Sequence, residues 1–236
     1  MSFSNELIGL AKKTVLVNAV VISVAIVLDL GWGTDQFGEM GMVTLLSVAL
    51  LLTCSGLAYR VFKVRFTEGR SWHVSATIWA IIALGCVFLA ADELLRLHEN
   101  FDEWIHLHFR IEETALSDRL DDLLIAIYMV GALAIMGFYK NELLLFFRLW
   151  PSLAAGFACA TLMVVLDALT NREDILPLVF DRQTARITHL ILCGTEDILK
   201  IIAETIFVLM FYRAWEISLD LAKNNDSSGP ASPGLS

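Results

Sequence analysis

The chain has 236 residues, 57% of them hydrophobic, with a mean hydropathy of +0.66 and a formal charge of −9. An ordinary soluble domain is about 45–50% apolar, so this composition argues against one, and the lack of a basic face argues against nucleic acid as a partner. The apolar runs are continuous rather than alternating and recur at a length of about 20 residues, enough to cross a bilayer as helices.

The first run, "TVLVNAVVISVAIVLDLGWG", follows Lys12 and Lys13. It has the form of a signal peptide without an A-x-A cleavage site, and further apolar runs follow, so it is read as a retained helix. Further on, the predicted spans lie at roughly 41–60, 74–93, 121–139, 149–170 and 194–215, after a first at roughly 14–31. The fold class is therefore all-α, a six-span transmembrane bundle forming one domain over residues 1–221. Residues 222–236, ending "KNNDSSGPASPGLS" and rich in Ser, Gly and Pro, are predicted to be a disordered tail. An amphipathic stretch at 94–113 is predicted to continue the third span.

Lys and Arg concentrate in short segments at one set of span ends, among them Lys12, Lys13, Arg60, Lys63, Arg65, Lys140, Arg148 and Arg213. That bias places both termini in the cytoplasm of a plasma (bacterial inner) membrane protein. Carboxylates concentrate at the other ends, and such a surface attracts cations. Cys54, Cys86, Cys159 and Cys193 form no CxxC pair and read as small buried hydrophobes.

The sixth span, "CGTEDILKIIAETIFVLMFYRAW", carries Glu196, Asp197, Lys200 and Glu204. At about 100° per residue these groups share one face about 100° wide, and His189 and Cys193 join it if the helix begins earlier. Glu204 lies ~14 Å along the axis from Arg213, near the middle of a ~30 Å hydrocarbon core. A charge there costs ~2.5–3.5 kcal/mol. Two explanations compete. Lys200 can form an ion-pair ladder with Glu196 at i−4 and Glu204 at i+4. Alternatively the stripe lines a polar cavity for a metal, a proton path or a substrate, because one Lys does not neutralise three carboxylates.

The third span ends in a second stripe, "ADELLRLHENFDEWIHLH". On a continuous helix Asp92, Glu99, Glu103 and His106 share one face, with His98 beside Asp102 and Glu93 on a flank. Glu103 and His106 have E-x-x-H spacing, but di-metal bundles use two such copies and no second one is present. Asp29, Asp122 within "DRLDD", and Asp167 bring further carboxylates to the same set of span ends. Carboxylate and imidazole together suit Zn, Mn or Fe, and carboxylates alone suit Ca or Mg.

The motifs D-E-x4-H-E, at Asp92 to Glu99, and E-[ED]-x2-K, at Glu196 to Lys200, resemble those of bacterial multi-pass membrane proteins of unassigned function. A looser likeness is to ceramidase-like and progestin-receptor-like membrane hydrolases. That likeness implies seven spans and a histidine zinc site near one face. Here six spans are read, the last lacks H-x3-H, and Glu196, Lys200 and Glu204 stand in its place, so the analogy is one of fold. P-loop, G-x-S-x-G, HExxH and Rossmann patterns are missing.

Three functions follow as expectations. In the first, a divalent metal is held by Asp92, Glu93, His98, Glu99, Glu196 and Asp197, and its bound water attacks an amphiphilic, lipid-like substrate, with Glu204 handling protons. In the second, the chain is a proton- or cation-coupled transporter with Glu204 and Lys200 as its relay. In the third, it is a non-catalytic membrane subunit whose ladder only sets helix register. Substrate, metal and oligomeric state are open at this level.

Overall fold

The structure is a computed structural model and describes residues 5–34, 36–38, 40–67, 75–97, 100, 108, 120–170, 176–178 and 180–227, the side chains of 67, 120–126, 168, 178 and 225–227 excepted. Six long helices dominate it: α1 (Asn5–Trp32), α2 (Met42–Thr67), α3 (Thr77–Leu95), α4 (Leu120–Phe138), α5 (Trp150–Thr170) and α6 (Arg182–Ser227). No strand occurs among the described residues. Helices Asn5–Trp32, Met42–Phe66, Thr77–Leu95 and the stretch Lys140–Asp167 are long and apolar enough to cross a membrane, and Ile127–Phe138 is a shorter apolar helix. The sequence therefore encodes a helical membrane protein.

α6 is the axis of the bundle, and cross-helix pairs fix the register of its neighbours. Glu6 meets Tyr212 and Asn18 meets Thr205, so α1 runs against α6. Ser47 meets Glu204 and the Arg60 guanidinium lies over the Trp215 ring, so α2 runs with it. α3 runs against α6, with Trp79 beside Phe211 and Glu93 beside Lys200. α5 does the same: Gly156 packs on Phe207, and Thr170 meets Glu196. α4 touches α3 through Phe88 and Tyr128, whose rings are 5.3 Å apart.

The core is built mainly from α2, α3 and α6. It includes Val43, Leu50, Cys54, Val61, Ile78, Trp79, Ile201, Val208, Phe211 and Ala214. The outward positions stay apolar and exposed, such as Val15, Leu16, Leu84, Val130 and Leu162. Helices that are hydrophobic all round suit a large core or a membrane, and exposed apolar faces on helices of this length fit the second.

An elbow joins α4 to α5. A short α-helical turn, Lys140–Leu143, passes into a 3₁₀ segment, Leu144–Leu149, with Phe146 outside helical geometry at φ −107° and ψ 24°. Pro151, in the first turn of α5, costs no helical hydrogen bond there.

Three sequence expectations change. α3 does not continue to 113 as one helix: it stops at Leu95, and Arg96 takes a left-handed conformation at φ 53° and ψ 48°. A non-glycine residue there costs about 1–2 kcal/mol. α6 begins at Arg182, so His189 and Cys193 lie on the same helix as Glu196. α6 also runs on to Ser227, past the point where the tail was expected to begin.

Candidate functional site

Lys200 is the centre of the charged cluster. Its Nζ donates to Glu93 Oε1 at 2.7 Å and lies 3.3 Å from Asp197 Oδ1. This is not the ladder, one of the two explanations open from the sequence, in which Lys200 pairs with Glu196 and Glu204. Two things redirect it. α3 brings Glu93 across, and Ser47 holds one oxygen of the Glu204 carboxylate. Glu93, placed on a flank by the helical arithmetic, is the acid of α3 that bonds Lys200 on α6. All three members of the cluster are largely covered, with side-chain exposures of 21%, 21% and 16% for Lys200, Glu93 and Asp197.

One turn further along α6 is Glu204. Its side chain is buried, with 7% residue exposure. Ser47 Oγ on α2 donates to Glu204 Oε1 at 2.6 Å. The other oxygen, Oε2, has no hydrogen-bond partner among the described residues. Cys54 Sγ lies 3.9 Å from the Glu204 backbone oxygen. Next to Glu204, Thr205 Oγ1 accepts from Asn18 Nδ2 at 2.6 Å and donates to the Ile201 carbonyl at 2.7 Å. A buried polar pair therefore lies immediately beside the buried acid.

Toward the other end of the stripe, Thr170 Oγ1 lies 3.4 Å from Glu196 Oε2, as a donor to it. His189 Nε2 is 3.7 Å from Cys193 Sγ, one turn before Glu196. Asp167 is half-buried near the end of α5, on the helix that packs along α6. The whole polar side of α6 thus runs from His189 through Glu196, Asp197 and Lys200 to Glu204 and Thr205. It is faced in turn by α5, α3, α2 and α1.

Asp92 is buried on α3, at 7% exposure, one residue before Glu93. Asp122 lies in the first turn of α4, where side chains are outside the described set. His98 and Glu99, with Glu103 and His106, lie outside the described residues. Among the described residues no group of three or more His, Cys, Asp and Glu is arranged to hold a metal ion. Of the ligands expected from the sequence, Glu93 and Asp197 are engaged by an ammonium, and Glu196 accepts from Thr170.

Sequence reasoning did not single out Ser47 or Thr205. Ser47 lies in "LLSVALLL" and Thr205 in "AETIFV", where a lone hydroxyl reads as a small helix residue. Nothing local announces that Ser47 reaches a residue 157 positions away. Nor did it single out the buried Arg65–Glu142 pair at the opposite end of the bundle, since both read as charges near cytoplasmic span ends.

Residues 14–215 match a family model described as a domain of unknown function, DUF8692. No curated protein and no solved structure matches the chain.

Proposed function

The chain belongs to the DUF8692 family, a domain of unknown function, and from its own side chains we propose a proton- or cation-coupled transporter of the plasma membrane. In this reading the chain crosses the bilayer six times, with α6 as the polar helix and both termini cytoplasmic. The Lys and Arg bias of the span ends supports that orientation. A span that carries Glu196, Asp197, Lys200 and Glu204 survives in lipid because four other helices cover its charged side.

The observation that carries the proposal is Glu204. A carboxylate buried to 7% exposure, with one oxygen paired to Ser47 and the other without a partner among the described residues, is costly if it serves only to hold helices together. Most buried polar atoms in proteins have a hydrogen-bond partner, and a buried network left partly unsatisfied is costly. Ionisable groups within spans mark ion pathways and proton relays. Glu204 is one turn from Lys200, which is itself held by Glu93 and Asp197. Protonation of Glu204 or loss of the Lys200 contacts changes the same local charge balance. The side chains at Asn18 and Thr205 extend the polar path beyond Glu204 toward the cytoplasmic half.

The test is proton flux in proteoliposomes containing a pH-sensitive dye. Wild-type protein is expected to dissipate an imposed pH gradient, and Glu204→Gln to fall to the level of empty vesicles. Flux indifferent to Glu204→Gln overturns the reading.

A second reading is a membrane hydrolase whose Zn, Mn or Fe is held by Asp92, Glu93, His98, Glu99, Glu196 and Asp197. It is favoured by the burial of Asp92 beside Glu93. There the metal would polarise a bound water, and the substrate would be lipid-like. Stoichiometric metal in the purified protein, lowered by His98→Ala, would bring this reading to the front.

A further inference from the structure

We propose that Glu204, Asn18, Ser47 and Thr205 form a binding site for one desolvated monovalent cation of sodium size, in competition with a proton on Glu204. The proposal rests on the transport reading above and names what that site takes.

The argument is a count of donors and acceptors. Thr205 uses its single hydroxyl proton on the Ile201 carbonyl, so toward Asn18 it acts only as an acceptor. Asn18 must therefore present its amide NH₂ to Thr205, which fixes the side chain's orientation. Its Oδ1 is left buried without a hydrogen-bond donor among the described residues, and Asn18 is only 7% exposed. Ser47 likewise spends its proton on Glu204 Oε1, and Glu204 Oε2 is left buried without a donor. Two buried oxygens, one on Glu204 and one on the Asn18 side chain that bonds the adjacent Thr205, thus lack a donor among the described residues. Leaving such groups unmatched costs about 1–3 kcal/mol each, more where one is charged.

The shortfall has one sign. In this cluster only acceptors are orphaned among the described residues, so what completes it is a proton on Oε2, a metal ion or a water that donates its hydrogens. Lys200 is not that species, because its ammonium is held by Glu93 and Asp197. All four side chains offer oxygen, which suits a hard cation. Glu204 supplies the one carboxylate among them, while Asn18, Ser47 and Thr205 are neutral. A monovalent ion is neutralised by that single charge, whereas a divalent ion would leave a net positive charge in the core. A proton and a sodium-sized ion then satisfy the same oxygen and exclude one another. Such exclusion couples the movement of one to the movement of the other.

The test uses the full-length protein in detergent. Its unfolding midpoint is compared in NaCl, KCl and choline chloride at equal ionic strength, over a range of pH. NaCl is expected to raise the midpoint by about 2–4 °C over choline chloride, with a larger rise at higher pH, where Glu204 gives up its proton. KCl is expected to give a smaller rise. Asn18→Leu and Glu204→Gln are expected to abolish the difference between salts. Should Asn18→Leu not fold, Asn18→Ala replaces it. Equal midpoints in NaCl and choline chloride for wild-type protein overturn the proposal, as does a sodium effect that survives both Asn18 variants. Proton flux that needs Glu204 while the protein is blind to sodium overturns this site alone. A sodium effect without flux supports the site and overturns the transport reading.

Discussion

Arg65 on α2 and Glu142 in the elbow before α5 form a buried ion pair, with Arg65 Nε 2.8 Å from Glu142 Oε1 and the two side chains 5% and 1% exposed. Arg65 NH2 bonds Oε2 at 3.2 Å, Ser75 Oγ donates to Oε2 at 2.8 Å, and Trp79 Nε1 donates to Oε1 at 3.3 Å. One carboxylate thereby holds the end of α2, the start of α3 and the elbow together, at the end of the bundle opposite Lys200. Removing one partner leaves a buried charge uncompensated, at a cost of about 3–5 kcal/mol. Glu142→Leu is therefore expected to lose most folded protein in detergent. The double variant Arg65→Met/Glu142→Leu should recover much of the loss, because no orphan charge remains. Thermal unfolding of the three proteins checks this, and a double variant no better than the single one contradicts it.

At the other end, Lys200 is joined to Glu93 by a hydrogen-bonded ion pair and to Asp197 by a second ion pair. Lys200→Met leaves two covered carboxylates without it. The expected loss is about 1–3 kcal/mol, larger than that from Glu93→Gln, which leaves Asp197 to hold the ammonium. The charge-exchanged pair Glu93→Lys/Lys200→Glu should restore part of the stability. Denaturation midpoints of the set decide whether the contact across α3 and α6 is as close as 2.7 Å implies.

Gly156 is where α5 approaches α6. A Cβ at this position would lie 2.5 Å from Phe207 Cε1 and 2.8 Å from Cζ. The ring also meets Phe157, with centroids 5.6 Å apart, and Phe211, at 6.4 Å, which limits its escape. Gly156→Val is expected to destabilise by about 1–3 kcal/mol through overpacking. Phe207→Leu on the same background should relieve part of the strain. Unfolding midpoints that do not respond to Gly156→Val would show that the two helices pack more loosely.

Asp181 caps α6 outside the membrane-spanning segments. Thr184 Oγ1 donates to Oδ2 at 2.6 Å, and the backbone N–H groups of Gln183 and Thr184 each donate to Oδ1 at 3.1 Å. These donors, the Thr184 hydroxyl first, hold the Asp181 carboxyl below its ordinary range. With a depressed folded-state value, the cap is fully present above the ordinary carboxyl range. It is lost as pH falls below that range and through the lowered value. Amide exchange at Gln183 and Thr184 should therefore accelerate in Asp181→Ala at neutral pH, once the intrinsic pH dependence of exchange is removed. Wild-type protein should approach the variant in strong acid. Protection that is equal in both proteins at neutral pH would show that the cap does not hold the helix start.

The sequence by itself determined the solvent and the secondary structure. Continuous apolar runs admit only helices in lipid, and periodicity placed six helix centres and the polar side of α6. Lys200 and Glu204 were legible as members of one helix face because helical angle is a local quantity. Which groups meet was decided by tertiary structure alone. Lys200 bonds Glu93, 107 positions away, rather than its helical neighbours. Ser47 and Asn18 complete the surroundings of Glu204 and Thr205 from α2 and α1. The break at Arg96 also belongs to this level, since an arginine carries no turn signal of its own. Helical pattern specifies which way a side chain faces, whereas its partner depends on how other helices slide along that face, and no short-range spacing encodes that register.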